Sequence, residues 1–333
     1  MMTEFIITGA TGFIGRVLVN DLLDLDYENI KVVSRKANNL EIFKGKKLKS
    51  IVGDINDKKF LRTIITNNSV VFHLAGIVDI KSKKDDLVYQ VNYQGTKNII
   101  DVCLEKDVKK LIYSSSSSAI NINSKKQEIK EPKEFNVKKL VGDYAKSKAL
   151  ATAYLFSKIK EGLKAVVLYP TAVFGPYDYH ISKITEVLVD YYHKKRFFYL
   201  KGCYNFVDVR DVSKALIKAY LKGHIGEGYL IGGNKVTLKE MFVIINGIMG
   251  KKKMPIKIPL FIVKLFLPFL EFAYLIRKKT PIFSRTSLKA LTKNCNFNIE
   301  KAYSELDYQP RPIEESFSDT INWLKENNYL KIS

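Results

Sequence analysis

The chain has 333 residues, 46% of them hydrophobic, and a formal net charge of +21 from 55 Lys and Arg against 34 Asp and Glu. That length exceeds one small core and suits two domains, or one large domain with an appended lobe. The basic residues are mostly Lys, spread through helical and loop stretches, and RNA-type motifs are absent, so the charge reads as a solvated surface and no nucleic acid partner is expected. Cys103, Cys203 and Cys295 are odd in number, far apart and without metal-ligand spacing; a reducing compartment with no disulfide framework is expected. The opening "MMTEFIITG" is already strand-like and carries no leader pattern, which points to a cytoplasmic location.

In chain order, the strand-like run "EFIIT" leads into "GATGFIGR", with glycines at positions 9, 12 and 15, and then into a helix over about 12–25 whose apolar residues Phe13, Val17, Leu18 and Leu22 recur at helical spacing. A strand that turns at once into a helix aims the helix's unpaired N–H groups and the positive end of its dipole at whatever sits over the turn. Phosphate suits that place. Gly9 allows the tight turn, Gly12 the approach of a pyrophosphate, and Gly15 close packing of helix on strand.

Short β-branched runs then alternate with helical patterns: "IKVVS", "KSIVG", "VVFHLAG", "KKLIYSS" and "KAVVLYP", with helices expected at about 57–66, 84–106 and 143–161. Alternation of this kind predicts a doubly wound parallel α/β sheet with helices on both faces. After residue 175 the pattern is irregular, with helices at about 181–193, 211–222 and 237–249, while "NFVDVRDVSKAL" and "GYLIGG" read as a helix and strand returning to the sheet. The expected organisation is a Rossmann-type domain over 1–175 joined again by 206–232. A smaller, mostly helical substrate lobe is expected over 176–205 and 233–333.

Three further stretches carry chemistry. Where a ribose-reading side chain belongs, the second strand ends in "VVSRK"; an NAD site usually offers Asp or Glu there, but this chain has Ser34, Arg35 and Lys36. Cations at that point suit a 2′-phosphate, so NADP is favoured over NAD. "YAKSK" puts Tyr144 and Lys148 on one helix face, where an ammonium would lower the phenol's pKa and make it an acid/base. The serine run in "LIYSSSSSAI" ends the fifth strand, on the side of an open sheet where ligands bind, and any of residues 114–118 could offer a hydroxyl to a substrate oxygen.

"TGATGFIG", "GDIND", "HLAG", "VNYQGTKNII", "YSSS", "YAKSK" and "YPTAVFGP" follow one another as in the extended short-chain dehydrogenase/reductases, the NAD-dependent epimerase/dehydratase family, and the resemblance covers essentially the whole chain. It implies that Tyr144 is the catalytic base, that Lys148 binds the nicotinamide ribose, that Ser116 orients the substrate and that Asn92 helps hold the lysine. It further implies cofactor contacts from Thr8, Gly9, Thr11, Gly12, Phe13, Ile14 and Gly15 in the turn, and from Arg35 and Lys36. Asp54 and Ile55 would meet the adenine, Leu74, Ala75 and Gly76 the dinucleotide, and Pro170 and Thr171 the nicotinamide carboxamide.

The same resemblance narrows the reaction. Ser116 is followed by Ser117 and Ser118, not by the acidic pair of dehydratases, and "YPTAVFGP" lacks the asparagine typical of sugar-nucleotide epimerases. The segment is more similar to dihydroflavonol 4-reductases and 3β-hydroxysteroid dehydrogenases, so reversible hydride transfer between NADP(H) and a secondary alcohol or ketone is expected. An epimerase acting on a sugar or sugar nucleotide is the alternative, and a non-catalytic NAD(P)-binding regulatory protein a third. The partner is a small-molecule substrate, and a homodimer is compatible with the resemblance. His73 is expected to pack or hydrogen-bond, His180, His193 and His224 share no metal-type spacing, and no metal is assigned. The most apolar stretch, residues 258–279, is interrupted by Lys264, Pro268 and Glu271, so no transmembrane span is expected. A peripheral membrane contact is the less favoured reading of this stretch; a helix pair whose apolar faces pack in the substrate lobe is preferred.

Overall fold

The computed structural model describes residues 2–78, 86–122, 127–132, 134–193, 197–263, 265–267, 288, 291 and 294–331. Its first half is a regular succession of β1 (Glu4–Thr8), α1 (Phe13–Asp24), β2 (Ile30–Ser34), β3 (Lys49–Val52), α2 (Lys58–Ile64) and β4 (Ser69–His73). There follow α3 (Asp86–Tyr89), a π-helical segment (Gln90–Gly95), α4 (Thr96–Glu105), β5 (Lys110–Ser114), α5 (Asp143–Ile159) and β6 (Ala165–Pro170). The single helix expected over 84–106 is thus a helix broken by a wider turn, and Asn92 sits in that turn. Such π-type insertions gather at functional sites because they re-aim a side chain that regular helix would leave elsewhere.

Seven parallel strands form the large sheet in the order β10-β6-β5-β4-β1-β2-β3, where β10 is the late strand Gly228–Ile231. The order reverses between β1 and β4, so a crevice opens beyond their carboxyl ends. Strands such as Ile30–Ser34 and Ala165–Pro170 are buried almost throughout because both faces are covered. One face packs Leu18 and Leu22 of α1 with Val212 and Leu216 of α7 (Val209–Leu221); the other packs Leu61, Ile99, Ile100 and Leu155. The returning helix and strand read from the sequence therefore do return: α7 lies along α1, and β10 pairs with β6 in parallel.

Beyond β6, β7 (Ala172–Phe174) and β9 (Cys203–Asp208) leave the large sheet and form a smaller one with β11 (Asn234–Thr237). Between them come α6 (Lys183–His193) and the short β8 (Phe198–Tyr199), and after them α8 (Leu238–Met249), opened by a Thr237/Glu240 capping box, and β12 (Ile256–Lys257). The chain ends with α9 (Glu300–Leu306) and α10 (Ile313–Glu326). Phe174, Phe206, Phe242, Phe317 and Trp323 make a separate aromatic core there. Arg311 ties its segment back to α7 through Asp211, at 2.9 Å, and Arg210 joins Asp208 to Asp319. Asp208 caps α7 by accepting from the Arg210 N–H.

One expectation is corrected. Cys203 and Cys295 form a disulfide, their Cα atoms 6.4 Å apart and 92 residues apart in sequence, which leaves only buried Cys103 free. Odd number and wide spacing carry no information about this pairing, because it is the fold that brings β9 to the segment before α9. The apolar stretch at 258–279 is helical at 260–263 and 265–267; Val263 and Leu267 enter a core against which Ile258 and Leu260 also pack, whereas Phe261, Leu265 and Phe266 are exposed. Pro268, Glu271 and residues 277–279 lie outside the described residues. Among the described residues no helix is long and apolar enough to cross a membrane.

Candidate active site

At the sheet's reversal point lies a cleft of about 360 Å³, lined by the glycine turn, the end of β2, residues 53–55, and Leu74 to Ile77. Its floor requires glycine. Gly9 has φ +74°, and a Cβ there would stand 2.5 Å from the Ala75 nitrogen; a Cβ on Gly15 would stand 2.2 Å from the Gly9 carbonyl oxygen. Gly12 is the N-cap of α1 with no side-chain capping bond, and the first turn holds no acidic residue. The N-terminal end of α1, where Gly12 borders the cleft, thus carries no side-chain cap and no nearby carboxylate, an arrangement that fits an anionic diphosphate.

At the adenosine end, Ser34, Arg35, Lys36 and Asn39 line the cleft on one side and Asp54 and Ile55 on the other. The Ser34 Oγ accepts from the Lys36 N–H at 3.4 Å. Asp54 is engaged internally, accepting from the backbone N–H of Asn56 at 2.9 Å and from its side-chain amide at 3.1 Å. Ile55 supports the π-helical turn, since a Cβ on Gly95 would meet its Cδ1 at 2.5 Å.

At the other end, Gly76 marks the passage from the cleft to the polar cluster below it: a Cβ there would meet Asn92 Oδ1 at 3.2 Å and Lys148 Nζ at 3.4 Å. Asn92 is buried; its amide donates to the Ile77 carbonyl at 2.9 Å, and its Oδ1 accepts from the Ile77 N–H at 2.7 Å. A further contact reaches Ser147 Oγ at 3.3 Å, which joins the π-helical turn to α5. Lys148 is buried too, donates to the Ser114 carbonyl at 2.8 Å and stands 4.9 Å over the Tyr113 ring. Burial without a carboxylate partner lowers its pKa to about 7. Ser116 caps a short turn by accepting from the Ser118 N–H at 3.1 Å, and its hydroxyl lies beside Tyr144. Lys148 by itself does not lower the pKa of the Tyr144 phenol. Burial raises it, and the Ser116 hydroxyl opposes the rise, because in this arrangement Lys148 is itself desolvated and directed at Ser114.

His73 lies behind the cluster, wholly buried, with Nδ1 2.6 Å from Thr8 Oγ1 and Nε2 2.9 Å from Thr96 Oγ1, while Thr96 donates onward to the Asn92 carbonyl at 2.8 Å. Burial pushes its pKa down to about 3, so it is a neutral bridge between the glycine turn and the asparagine's helix.

The structure thus brings Thr8, Gly9, Thr11, Gly12, Arg35, Lys36, Asp54, Ile55, Leu74, Ala75 and Gly76 to the cleft wall. Ser116, Tyr144, Lys148 and Asn92 form the adjoining cluster. Phe13, Ile14, Gly15, Pro170 and Thr171 do not line the cleft; Gly15 sits beneath it, and Thr171 donates its N–H to the Ile231 carbonyl at 3.1 Å. Sequence reasoning missed Val33, Asn39, Gly53, Ile77 and Val91 as lining residues. Gly53 had a readable reason, since a Cβ there would stand 2.1 Å from the Phe60 ring; Asn39 had none.

The family model for the 3-beta hydroxysteroid dehydrogenase/isomerase family matches residues 6–223, which span both the cleft and the polar cluster. The chain belongs to this family. It is accordingly an enzyme of the NAD-dependent extended short-chain dehydrogenase/reductases, and its fold is theirs. Among its relatives is a Synechocystis sp. protein named as a dihydroflavonol 4-reductase, 26% identical over 98% of this chain and 96% of that one. The crystal structure of gox2253 superposes with a TM-score of 0.85 at 26% identity, covering 98% of this chain and 99% of the other. UDP-glucose 4-epimerase of Thermotoga maritima, solved with UDP-glucose, shares the fold at a TM-score of 0.76 and 21% identity, over 98% of this chain and all of the other.

Proposed function

We propose that this family member transfers hydride reversibly between NADP(H) and a secondary alcohol or ketone, with Tyr144 as the acid/base. The observation that carries the reading is the convergence of Ser116, Tyr144, Asn92 and Lys148 at the end of a cleft whose other end carries Arg35 and Lys36. A bound nicotinamide dinucleotide would supply the hydride donor or acceptor. The glycine turn and the N-terminus of α1 would hold its diphosphate, and Arg35 and Lys36 a 2′-phosphate. From Val33 to Asn39 the chain offers no carboxylate to compete for a ribose 2′-hydroxyl, which favours NADP over NAD.

In the reducing direction Tyr144 donates its phenolic proton to the substrate oxygen as negative charge develops there, and in the oxidising direction it withdraws that proton. Ser116 donates a hydrogen bond to the phenolate and orients the substrate oxygen. Lys148 places a positive charge one helical turn from Tyr144, and Asn92 holds the turn that shapes the lysine's pocket. The names of the family and of the Synechocystis relative support alcohol and ketone chemistry. Ser117 and Ser118, where an acidic pair would serve water elimination, argue against dehydration.

The test is a panel of hydroxysteroids, dihydroflavonols and UDP-sugars assayed with each cofactor. Absorbance change of the cofactor with an alcohol or ketone substrate supports the proposal; turnover of a UDP-sugar to its epimer with no net cofactor change would replace it.

A further inference from the structure

Among the described residues, the segments 252–263 and 265–266 carry apolar and basic side chains that stay exposed. In β8 and β12 the paired residues Phe198 and Ile256 are both exposed, at 47% and 55%. Two residues after β12 the chain turns into helix, where Val263 and Leu267, one turn apart, pack with Leu200, Leu288 and Leu291. Three apolar side chains of the same segment stay outside that core: Phe261 is 70% exposed, Leu265 68% and Phe266 53%. Exposed apolar side chains gathered on one surface in this way mark an interaction site.

Charge identifies the partner. Lys251 is turned inward, donating to the Tyr191 and Tyr192 carbonyls. Lys252, Lys253 and Lys257 are exposed and form no ion pair among the described residues. Apolar side chains beside unneutralised lysines, in a chain of net charge +21, complement a surface that is negative at its face and hydrocarbon beneath. A second copy of the chain complements it less well, because it would bring the same lysines face to face.

We propose that this face docks the protein peripherally on an anionic lipid bilayer, with Phe261, Leu265 and Phe266 entering the headgroup boundary and the three lysines over the lipid phosphates. The proposal is independent of the reaction assigned above, since none of these residues lines the cleft or the polar cluster.

The experiment is co-sedimentation of the full chain with phosphatidylcholine vesicles, with and without phosphatidylglycerol, at physiological salt. Wild type is expected to sediment with the anionic vesicles only. F261S/F266S and, separately, K252E/K253E are each expected to weaken binding at least about tenfold while keeping the wild-type melting temperature. Absence of binding to anionic vesicles overturns the proposal. So does undiminished binding by a folded F261S/F266S variant, which would be adsorption of a basic protein without insertion. A lipid-free dimer that the same substitutions dissolve would assign the face to a second copy instead. Should F261S/F266S unfold, hydrogen exchange on wild type decides: protection of 252–266 by anionic vesicles supports docking, and protection confined to other segments overturns it.

Discussion

In the cleft at the sheet's reversal point the deciding atoms belong to the backbone. Gly9 and Gly15 are required because main-chain atoms of Ala75 and of Gly9 itself stand where a Cβ would be, and those atoms follow from the pairing of β1 with β4 and the immediate start of α1. Around β7, β9 and β11 the deciding atoms are side chains from distant parts of the chain: the ring centroids of Phe174 and Phe317 are 4.7 Å apart, and those of Phe174 and Phe206 5.3 Å. Backbone constraints leave local residue patterns, because few residue types satisfy them. Packing constraints leave weak ones, because many apolar residues fill the same volume and their partners lie far away in sequence.

The largest effect expected on the cleft side is loss of chemistry. Tyr144→Phe should lower turnover by roughly 10²–10⁴ while cofactor binding measured by fluorescence titration stays near wild type; activity within tenfold would remove Tyr144 from its role. On the other side, the test is covalent. Unfolded protein alkylated without reductant should show one reactive cysteine by mass spectrometry, and three after reduction. Loss of the cross-link in Cys203→Ser should cost at most about 4–5 kcal/mol by denaturant titration, the chain-entropy limit for a loop of this length. Three reactive thiols before reduction would show that packing alone holds the segment before α9.

A smaller effect is expected from Arg35→Ala: weaker NADP(H) binding by about 1.5–3 kcal/mol, the worth of a charged hydrogen bond, with NAD(H) little changed. Tighter binding of NAD(H) than NADP(H) by wild type would refute the preference.

The smallest effect separates activity from stability at one residue. Burial holds Lys148 near a pKa of about 7 in the folded chain, below its ordinary value, so folding opposes its protonation. The penalty is fully present below about pH 7 and fades as pH rises toward the ordinary lysine range. Lys148→Met should therefore reduce turnover and cofactor affinity yet raise the melting temperature of the cofactor-free protein by a few degrees, more at pH 6 than at pH 10. A pH-independent change would mean that the lysine is stabilised where it stands. Unchanged cofactor affinity would remove its second role.

Reading from the sequence reached different depths in different places. Strands such as Ile30–Ser34 and Ala165–Pro170 were legible from β-branched runs, and α1 and α5 from helical spacing. The π-helical turn at Gln90–Gly95 was not, since a shift from regular helix to one extra residue per turn changes no residue pattern; it is stabilised by tertiary bonds such as Asn92 to Ile77 and Ser147. Much of the cleft wall is named from the sequence, but Asn39 and Val91 are not, because they reach it from elements whose position is set by packing.

From its residue pattern alone this chain declares alternating strands and helices, a glycine turn after the first strand and a Tyr-Lys pair on one helix face, because each depends on contacts within a few residues. The Cys203–Cys295 bridge, the inward turn of Lys148 onto Ser114 and the exposure of Phe261, Leu265 and Phe266 were decided only in three dimensions. Each of these depends on which distant segment occupies the neighbouring space, and that is settled by the folding of the whole chain.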